Sequence, residues 1–340
     1  MAQMLLESPM KKAIELGHNP EGYQELANQL NKIREQITPE MQSILSQYET
    51  DKQVREIIQS SIPKEGSYHR GSLVSIVSAS KGEKPNSRIA AAVELFYWAT
   101  AWLDDIADKN TLRQGTESIR KTSGDTIAMY ASNALYGIVF RAIADELKEP
   151  KKLSKVVNLL ARNFHIINRG QTIDALMTTH SLESVSVADY ISLIEETTGV
   201  DVASNLGIGA VLAEIDQETF DNVYKFGLNL GALAQIRDDV LDYCNTKDEK
   251  GDYVIGKLPF RDVETGKKRL PLLLTQNTKL RSLPNEVYDR IEEDFVKPRR
   301  EKAKNYLHSA DISEESKETL ESILNYWSDI RLFQKLSSNE

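Results

Sequence analysis

The 340-residue chain has only one cysteine, Cys244, so it cannot form a disulfide within itself. Proteins of oxidising compartments often depend on several disulfides, and their absence favours a reducing compartment, here the cytoplasm. None of the five histidines lies close to Cys244 in the sequence. We therefore interpret this cysteine as a small packing residue rather than a nucleophile.

Long hydrophobic runs are also absent. The most apolar stretch covers residues 90–103 and is interrupted by Glu94. A helix that crosses a bilayer needs about 20 apolar residues, so the sequence predicts no membrane span. The first residues lack a basic start followed by an apolar run, so no secretory signal is expected.

The chain has fewer positively charged than negatively charged residues. The chain has 42 Lys and Arg against 51 Asp and Glu, a formal net charge of −9. This balance argues against a nucleic-acid partner and against docking on an anionic membrane. Positive charge that holds a phosphate group must then be local or must come from metal ions.

The sequence also has no strand-type alternation, no internal repeats and no shift in composition between segments. Apolar residues recur at helical spacing through most of the chain, and 40% of residues are hydrophobic. The pattern predicts an all-α protein that forms one structural unit of a dozen or so helices. Within it, residues 1–60 are expected to form peripheral N-terminal helices and residues 61–340 the catalytic domain.

Two acidic motifs of the form Asp-Asp-x-x-Asp stand at the ends of long apolar segments. Residues four apart share one helix face, so the first and last aspartates of each motif lie together. Two carboxylates ~5 Å apart repel each other by roughly 3 kcal/mol at an effective dielectric of ~20. A hard cation that accepts carboxylate oxygens and shares its shell with phosphates would offset this cost, and magnesium fits best. The predicted catalytic residues are Asp104, Asp105, Asp108, Asp238, Asp239 and Asp242, and the predicted metal ligands are Asp104, Asp108, Asp238 and Asp242.

Two further features suit a phosphorylated hydrocarbon. A loop over residues 245–269 is rich in Lys and Arg and directly follows the second motif, where it can supply counter-charge. Aromatic residues precede the first motif, and Tyr97 and Thr100 share the helix face of Asp104 and Asp108. Aromatic ring faces can stabilise a cation.

From about Gly66 to Leu274 the sequence resembles the trans-isoprenyl diphosphate synthases. The similarity is specific because two acidic motifs occur together with several flanking signatures. Those signatures are Val93-Glu94-Leu95, Leu112-Arg113-x-Gly115, Gly170-Gln171-x-x-Asp174, Gly227-x-x-x-Gly231-x-x-x-Gln235, Gly256-Lys257, Asp262 and Gly266-Lys267-x-x-Leu270-Pro271.

This resemblance implies the terpenoid-synthase fold, a helical bundle around a central cavity, and a homodimer. It also implies three magnesium ions and ionisation of an allylic prenyl diphosphate to a carbocation. The small residues Ala99 and Thr100 favour a long substrate, farnesyl or geranylgeranyl diphosphate. The implied diphosphate-binding residues are Arg70, Arg113, Gln171, Arg261 and Lys267, and the implied cavity residues are Phe96, Tyr97, Ala99, Thr100 and Thr198.

The departures from the family pattern concern charge. Ser67, Tyr97 and Gln114 stand where elongating members usually have cationic residues that hold isopentenyl diphosphate. A charge-assisted hydrogen bond contributes ~1.5–3 kcal/mol, so three losses would weaken that site greatly. Thr197 replaces a usual Lys, a loss for which Arg261 could partly compensate.

Four functions follow from these departures. The leading hypothesis is a cyclase-like terpene synthase that ionises one long prenyl diphosphate and quenches the cation internally. The second is a prenyltransferase that uses an acceptor other than isopentenyl diphosphate, and the third is an ordinary chain-elongating synthase. The fourth is a non-catalytic partner subunit, which the retention of six self-repelling aspartates argues against.

Overall fold

The computed structural model describes residues 10, 13–14, 20–63, 68–114, 116–247, 251, 253–255 and 257–334. Within these ranges the chain is almost wholly helical, as predicted. It divides into two compact units. The first contains Met1–Val157 and Ile208–Glu214, and the second contains Asn158–Gly207 and Ile215–Glu340.

The first unit is built on a long N-terminal helix that continues through Pro39. Ile37 and Met41 on either side of this proline are buried, and their packing keeps the helix continuous. The helices of this unit are Pro20–Tyr48, Lys52–Ser60, His69–Ser78, Ser87–Ala107, Ile119–Ser123 and Asp125–Glu146.

The apolar segment before the first motif predicts a helix from about residue 88 to residue 108. The observed helix is Ser87–Ala107, which we call the first motif helix. The Asn86 side chain caps it by accepting a hydrogen bond from the Ile89 N–H at 2.9 Å. An alanine-rich first half allows close packing against its neighbours in the unit. The helix ends within the first acidic motif, with Asp108 as its C-cap.

A minimal antiparallel hairpin follows the first motif helix, and the sequence did not predict it. Its strands are Leu112–Arg113 and Thr116–Glu117, with Arg113 opposite Thr116. Two-residue strands are too short to give an alternating pattern in the sequence. The hairpin matters because it carries Arg113 back towards the first motif.

The second unit contains most of the remaining helices. Pro150 begins a helix, because proline is well suited to the first helical position. Pro150–Thr178 and Val200–Leu212 contribute residues to both units. The other elements are the short Leu182–Ser184 turn, Val187–Ile194, the π-helical turn Glu195–Gly199, Gln217–Leu241, Arg261–Glu264, Leu270–Thr275, Asn285–Ile291, the π-helical turn Glu292–Val296, Lys297–Ser309 and Glu314–Trp327.

Gln217–Leu241, which we call the second motif helix, packs backbone to backbone against the π-helical turn Glu195–Gly199. A Cβ on Gly231 would lie 2.2 Å from the carbonyl oxygen of Thr198. No side chain fits there, which explains the glycine spacing that precedes the second motif. The close contact also brings the Thr198 hydroxyl within 2.8 Å of Gln235 Oε1. Such π-helical turns often occur at functional sites.

Candidate active site

Asp105, the middle residue of the first motif, is fully buried and held by two side chains. Arg113 Nε donates to its Oδ1 at 2.9 Å, and Asn110 Nδ2 donates at 3.2 Å. Arg113 Nη2 also donates to Asp104 Oδ2 at 3.0 Å. One arginine from the hairpin therefore fixes two aspartates of the motif.

Burial dominates the electrostatics of this motif. Desolvation raises the pKa of Asp105, although the charge of Arg113 opposes the shift. The neighbouring carboxylates hold the pKa of Arg113 well above its ordinary value. Oδ2 of Asp105 is buried and has no hydrogen-bond partner in the part of the chain that the structure describes. Arg113 thus balances the charge of this carboxylate, while its second oxygen stays without a hydrogen bond among the described residues.

The second motif repeats this arrangement. Asp239, its middle residue, is buried, and each of its oxygens accepts a hydrogen bond. Tyr190 Oη donates to Oδ2 at 2.6 Å, and Gln235 Nε2 donates to Oδ1 at 2.7 Å. Asp238 is exposed, with Lys257 Nζ 2.9 Å from its Oδ2.

Asp242 closes the second motif at the C-cap of its helix. Its Oδ2 accepts a hydrogen bond from the Asp262 N–H at 3.2 Å. Its Oδ1 is buried without a hydrogen-bond partner among the described residues. In both motifs, therefore, the middle aspartate is buried and fixed by neighbouring side chains, whereas the outer aspartates differ: Asp104 and Asp108 are half-buried, Asp238 is exposed and Asp242 is buried.

The buried carboxyls of the second motif bind protons unusually tightly. Desolvation is the largest cause, and it raises the pKa of both Asp239 and Asp242 to about 7. The charge of Asp262 raises both values further, while Arg269 opposes the shift at Asp239 and Lys257 opposes it at Asp242.

These shifts predict that the metal-free protein loses stability as the pH rises through about 7. Asp239 and Asp242 have an ordinary pKa of 3.8 and a folded pKa of about 7. Between these values the folded chain binds more protons than the unfolded chain, so the free energy of unfolding falls with rising pH. We expect a lower melting temperature at pH 8 than at pH 5.5, and a smaller difference in Asp242→Asn. An equal pH dependence in that variant would contradict the assignment.

Arg269 is the residue of this region that the sequence left unassigned. It is buried, and its Nη1 and Nη2 donate to the two oxygens of Asp174 at 2.8 and 2.9 Å. Its Nε lies 3.8 Å from Asp239 Oδ1 and 3.7 Å from Asp262 Oδ1. The only signal in the sequence was its place in the basic loop.

The predicted diphosphate-binding residues of the second unit have different surroundings. Lys267 is buried, with Nζ 3.5 Å from Asp174 Oδ2. Arg261 is half-buried and pairs with Glu264 at 3.0 Å. Gln171 lies on the exposed side of the helix Pro150–Thr178. Their roles in binding stay predictions.

The predicted cavity residues of the first unit lie on the first motif helix. Phe96 and Ala99 are buried, and the Phe96 ring packs edge-on against Tyr136 with 4.9 Å between centroids. The Thr100 hydroxyl lies 3.0 Å from Tyr136 Oη. Phe96 and Ala99 are thus part of the packed interior, while Thr100 and Tyr97 are half-buried.

The stretch compared with the isopentenyl diphosphate site lies in part outside the described residues, which exclude Ser67. Tyr68 is buried and donates to the Pro63 carbonyl at 3.3 Å. The Arg70 guanidinium stands 4.2 Å from the centroid of the Tyr97 ring, a cation–π contact. Beside it, buried Glu94 accepts the Gly71 N–H at 2.9 Å, and burial raises its pKa.

The donor set fits a hard cation whose shell is completed by another molecule. No three His, Cys, Asp or Glu side chains within the described ranges converge closely enough to hold an ion by themselves. Both motifs lie at helix C-termini, where the helix dipole already disfavours carboxylates. One buried oxygen each of Asp105 and Asp242 has no hydrogen-bond partner among the described residues, which leaves an acceptor that a cation can use. Magnesium commonly binds through one or two carboxylates together with substrate phosphates.

Comparison with known proteins identifies the family. The polyprenyl synthetase family model matches residues 51–306, three quarters of the chain. The chain belongs to the polyprenyl synthetase family. This confirms the resemblance seen in the sequence.

The similar proteins in the polyprenyl synthetase family are named as chain-elongating enzymes. The short chain isoprenyl diphosphate synthase of Methanocaldococcus jannaschii is 30% identical over 53% of this chain and 53% of its own length. The geranylfarnesyl diphosphate synthase of Aeropyrum pernix is 31% identical over 54% of this chain and 56% of its own length. The matched region thus spans about half the length of these relatives.

Solved structures share the fold. A polyprenyl synthase from Caulobacter crescentus CB15, complexed with calcium and isoprenyl diphosphate, superposes with a TM-score of 0.73. It is 23% identical, over 89% of this chain and 97% of that one. A geranylgeranyl pyrophosphate synthetase from Pyrococcus horikoshii OT3 gives 0.72 at 22% identity, over 91% and 99%. The all-α fold class is confirmed.

One helix qualifies by length and composition as a membrane span among the described residues. Asp125–Glu146 has a mean hydropathy of 1.3 over its most apolar window, and half of that window is buried in the protein. The core helix of a soluble protein gives the same signal, so this is weak support for a span.

Proposed function

We propose that this chain is a magnesium-dependent prenyl diphosphate synthase that extends an allylic prenyl diphosphate with isopentenyl diphosphate. The observation that carries the proposal is the shared construction of the two acidic motifs, each with a buried and fixed middle aspartate, in a member of the polyprenyl synthetase family. The names of the relatives support chain elongation. They do not support the cyclase that the sequence alone placed first.

The residues divide the chemistry between them. Asp104, Asp108, Asp238 and Asp242 would hold the magnesium, with three ions the number that the family resemblance implies. Bound magnesium stabilises the negative charge that develops on the departing diphosphate. Asp105 and Asp239 keep the outer aspartates in place and do not need to contact the ions. Lys257, beside Asp238, adds a point charge at the edge of the second motif.

The reaction breaks one carbon–oxygen bond and forms one carbon–carbon bond. The carbon–oxygen bond of the allylic substrate breaks and its electron pair leaves with the diphosphate. The double bond of isopentenyl diphosphate then supplies the pair that forms the new carbon–carbon bond, and the adjacent carbon loses a proton. Arg70, held over the Tyr97 ring, is the cation that we assign to the diphosphate of isopentenyl diphosphate.

Diphosphate release in matched reactions tests the proposal. Farnesyl or geranylgeranyl diphosphate with magnesium should give little inorganic diphosphate alone and sustained release once isopentenyl diphosphate is added. Equal release without isopentenyl diphosphate would overturn the proposal in favour of a cyclase. A second candidate, transfer to another acceptor, is favoured by the single retained cation of the isopentenyl stretch, Arg70. Release only with an added aromatic or peptide acceptor would establish it.

A homodimer belongs to the same proposal. The family resemblance implies it, and the helix Asp125–Glu146 presents an apolar surface consistent with it. Tyr130 is 65% exposed and Ile127 is 43% exposed on this helix. Gly137, two turns further on, has no atom within 4 Å of the position that a Cβ would take. A second copy packed here would cover this surface. The single, buried cysteine supports a cytoplasmic location.

A charge on this surface should dissociate the dimer. We expect the wild-type protein to have twice the chain mass of 38.3 kDa by light scattering. Tyr130→Glu places a carboxylate in the apolar contact, which should give monomers at micromolar concentration. Gln53→Glu adds the same charge at another exposed position and should leave the mass unchanged. A dimeric Tyr130→Glu variant would exclude this helix from the interface.

A further inference from the structure

Arg269 connects three carboxylates in the interior of the second unit. Both terminal nitrogens are used by Asp174, which fixes the plane of the guanidinium. Nε points between Asp239 and Asp262, at 3.8 and 3.7 Å, and has no hydrogen-bond partner among the described residues. A buried donor held beside two carboxylates acts on both by charge.

Position 197 holds no cation. The family resemblance implies a lysine there, but the Thr197 hydroxyl donates to the Leu193 carbonyl at 2.8 Å. Its methyl carbon lies 2.2 Å from where a Cβ on Gly170 would stand. Thr197 therefore fills space beside Gly170, one helical turn before Asp174. It brings no charge to this region.

Arg269 supplies charge in the same region from a different element. Asp174, which anchors it, follows Gly170 on the same helix face. Arg261, which the sequence suggested as the compensating residue, instead pairs with Glu264. Each motif thus has an arginine near its buried middle aspartate, but Arg113 donates to Asp105 at 2.9 Å, whereas Arg269 lies 3.8 Å from Asp239 and acts by charge alone.

We infer that Arg269 is a positioning residue of the second acidic motif and takes over the cationic role that Thr197 lacks. Anchored on Asp174, it places its charge 3.8 Å from Asp239 and thereby stabilises the end of the second motif helix that carries Asp238 and Asp242. It is itself buried and acts through Asp239 without contact with the substrate. The inference rests on the proposed function, because the motif matters through diphosphate release.

Two variants distinguish a positioning role of Arg269 in the second motif from a role in the stability of the fold alone. Arg269→Gln leaves Asp174 buried without its main partner, so the melting temperature should fall by roughly 5–10 °C. Asp174→Asn combined with Arg269→Gln removes both charges of the pair, while buried Lys267 loses the carboxylate 3.5 Å from its Nζ, so only part of this loss should be regained. Turnover should stay about 100-fold below wild type in both, because the motif remains misplaced. The loss should be in kcat, with little change in KM. Recovery of turnover together with stability would overturn the inference.

A metal-binding measurement tests the role of Arg269 a second time, without depending on turnover. With inorganic diphosphate present, the Mn²⁺ affinity of the double variant, measured from the free-Mn²⁺ electron paramagnetic resonance signal, should fall at least about tenfold. Arg300→Gln is the matched control, because Arg300 is partly buried and binds Ser328 and Glu292, outside both motifs. It should lose stability but keep its Mn²⁺ affinity and turnover. Unchanged Mn²⁺ affinity in the double variant would contradict the inference.

The wild-type protein distinguishes failure of this inference from failure of the proposed function. If wild-type protein releases no diphosphate with any prenyl substrate, the proposed function fails, while the Mn²⁺ comparison still tests Arg269. If wild-type protein turns over and the double variant does so equally well, only the role of Arg269 fails.

Discussion

Asp104→Asn and Asp238→Asn should each lower diphosphate release by about 100- to 1,000-fold. Asp104 and Asp238 are the first residues of their motifs. The amide oxygen of the asparagine can still accept a hydrogen bond from the present partner, Arg113 in the first motif and Lys257 in the second. What is lost is the negative charge that a cation requires. Asp238 is exposed, so its replacement should change the free energy of unfolding by no more than about 0.5 kcal/mol.

Initial rates of diphosphate release and thermal unfolding curves measure the two effects separately. Asp221→Asn is the matched control, since Asp221 is exposed on the same second motif helix but lies outside the motif. It should keep full turnover. Full turnover in Asp104→Asn or Asp238→Asn would exclude the magnesium-binding role of these aspartates.

Arg113→Gln should damage both the fold and the reaction. Without the guanidinium, Asp105 stays buried with Asn110 as its one remaining side-chain partner among the described residues. Removing one member of a buried ion pair costs about 3–5 kcal/mol of stability, because the remaining charge is uncompensated. Urea unfolding should show this loss. Diphosphate release should fall too, since Asp104 loses the same contact.

Removing the charge of Asp105 as well tests whether the loss of stability in Arg113→Gln comes from an uncompensated charge. Asp105→Asn combined with Arg113→Gln should be more stable than Arg113→Gln alone, because neither buried charge remains. Turnover should not recover, since Asp104 is still unsupported. A double variant that is no more stable than the single would mean that the pair does not act through charge compensation.

The sequence predicted the motif helices well and their buried contacts poorly. Apolar residues at helical spacing located the helix Ser87–Ala107 to within a residue at each end. The pairs Arg269–Asp174 and Tyr190–Asp239 join residues 95 and 49 positions apart, and no local pattern indicates such contacts. The middle aspartates therefore looked equivalent to the outer ones, although they are anchors.

Counting charges at single positions also gave an order of hypotheses that the comparisons do not support. The replacements at Tyr97 and Gln114 suggested a dismantled isopentenyl site, and the cyclase came first. The structure shows that Tyr97 brings a ring that holds Arg70 at 4.2 Å, so the remaining cation is fixed in place. An aromatic residue can thus preserve the orientation of a neighbouring charge, a contribution that a count of Lys and Arg omits.

The most direct measurement is incorporation of ¹³C-labelled isopentenyl diphosphate, followed by mass spectrometry of the dephosphorylated products. Geranylgeranyl or farnesyl diphosphate, magnesium and the labelled substrate should give prenyl chains longer by whole labelled five-carbon units. This result would establish chain elongation despite the altered residues of the isopentenyl site. Unlabelled hydrocarbons or alcohols with the carbon number of the starting substrate would contradict the account and identify a terpene synthase instead.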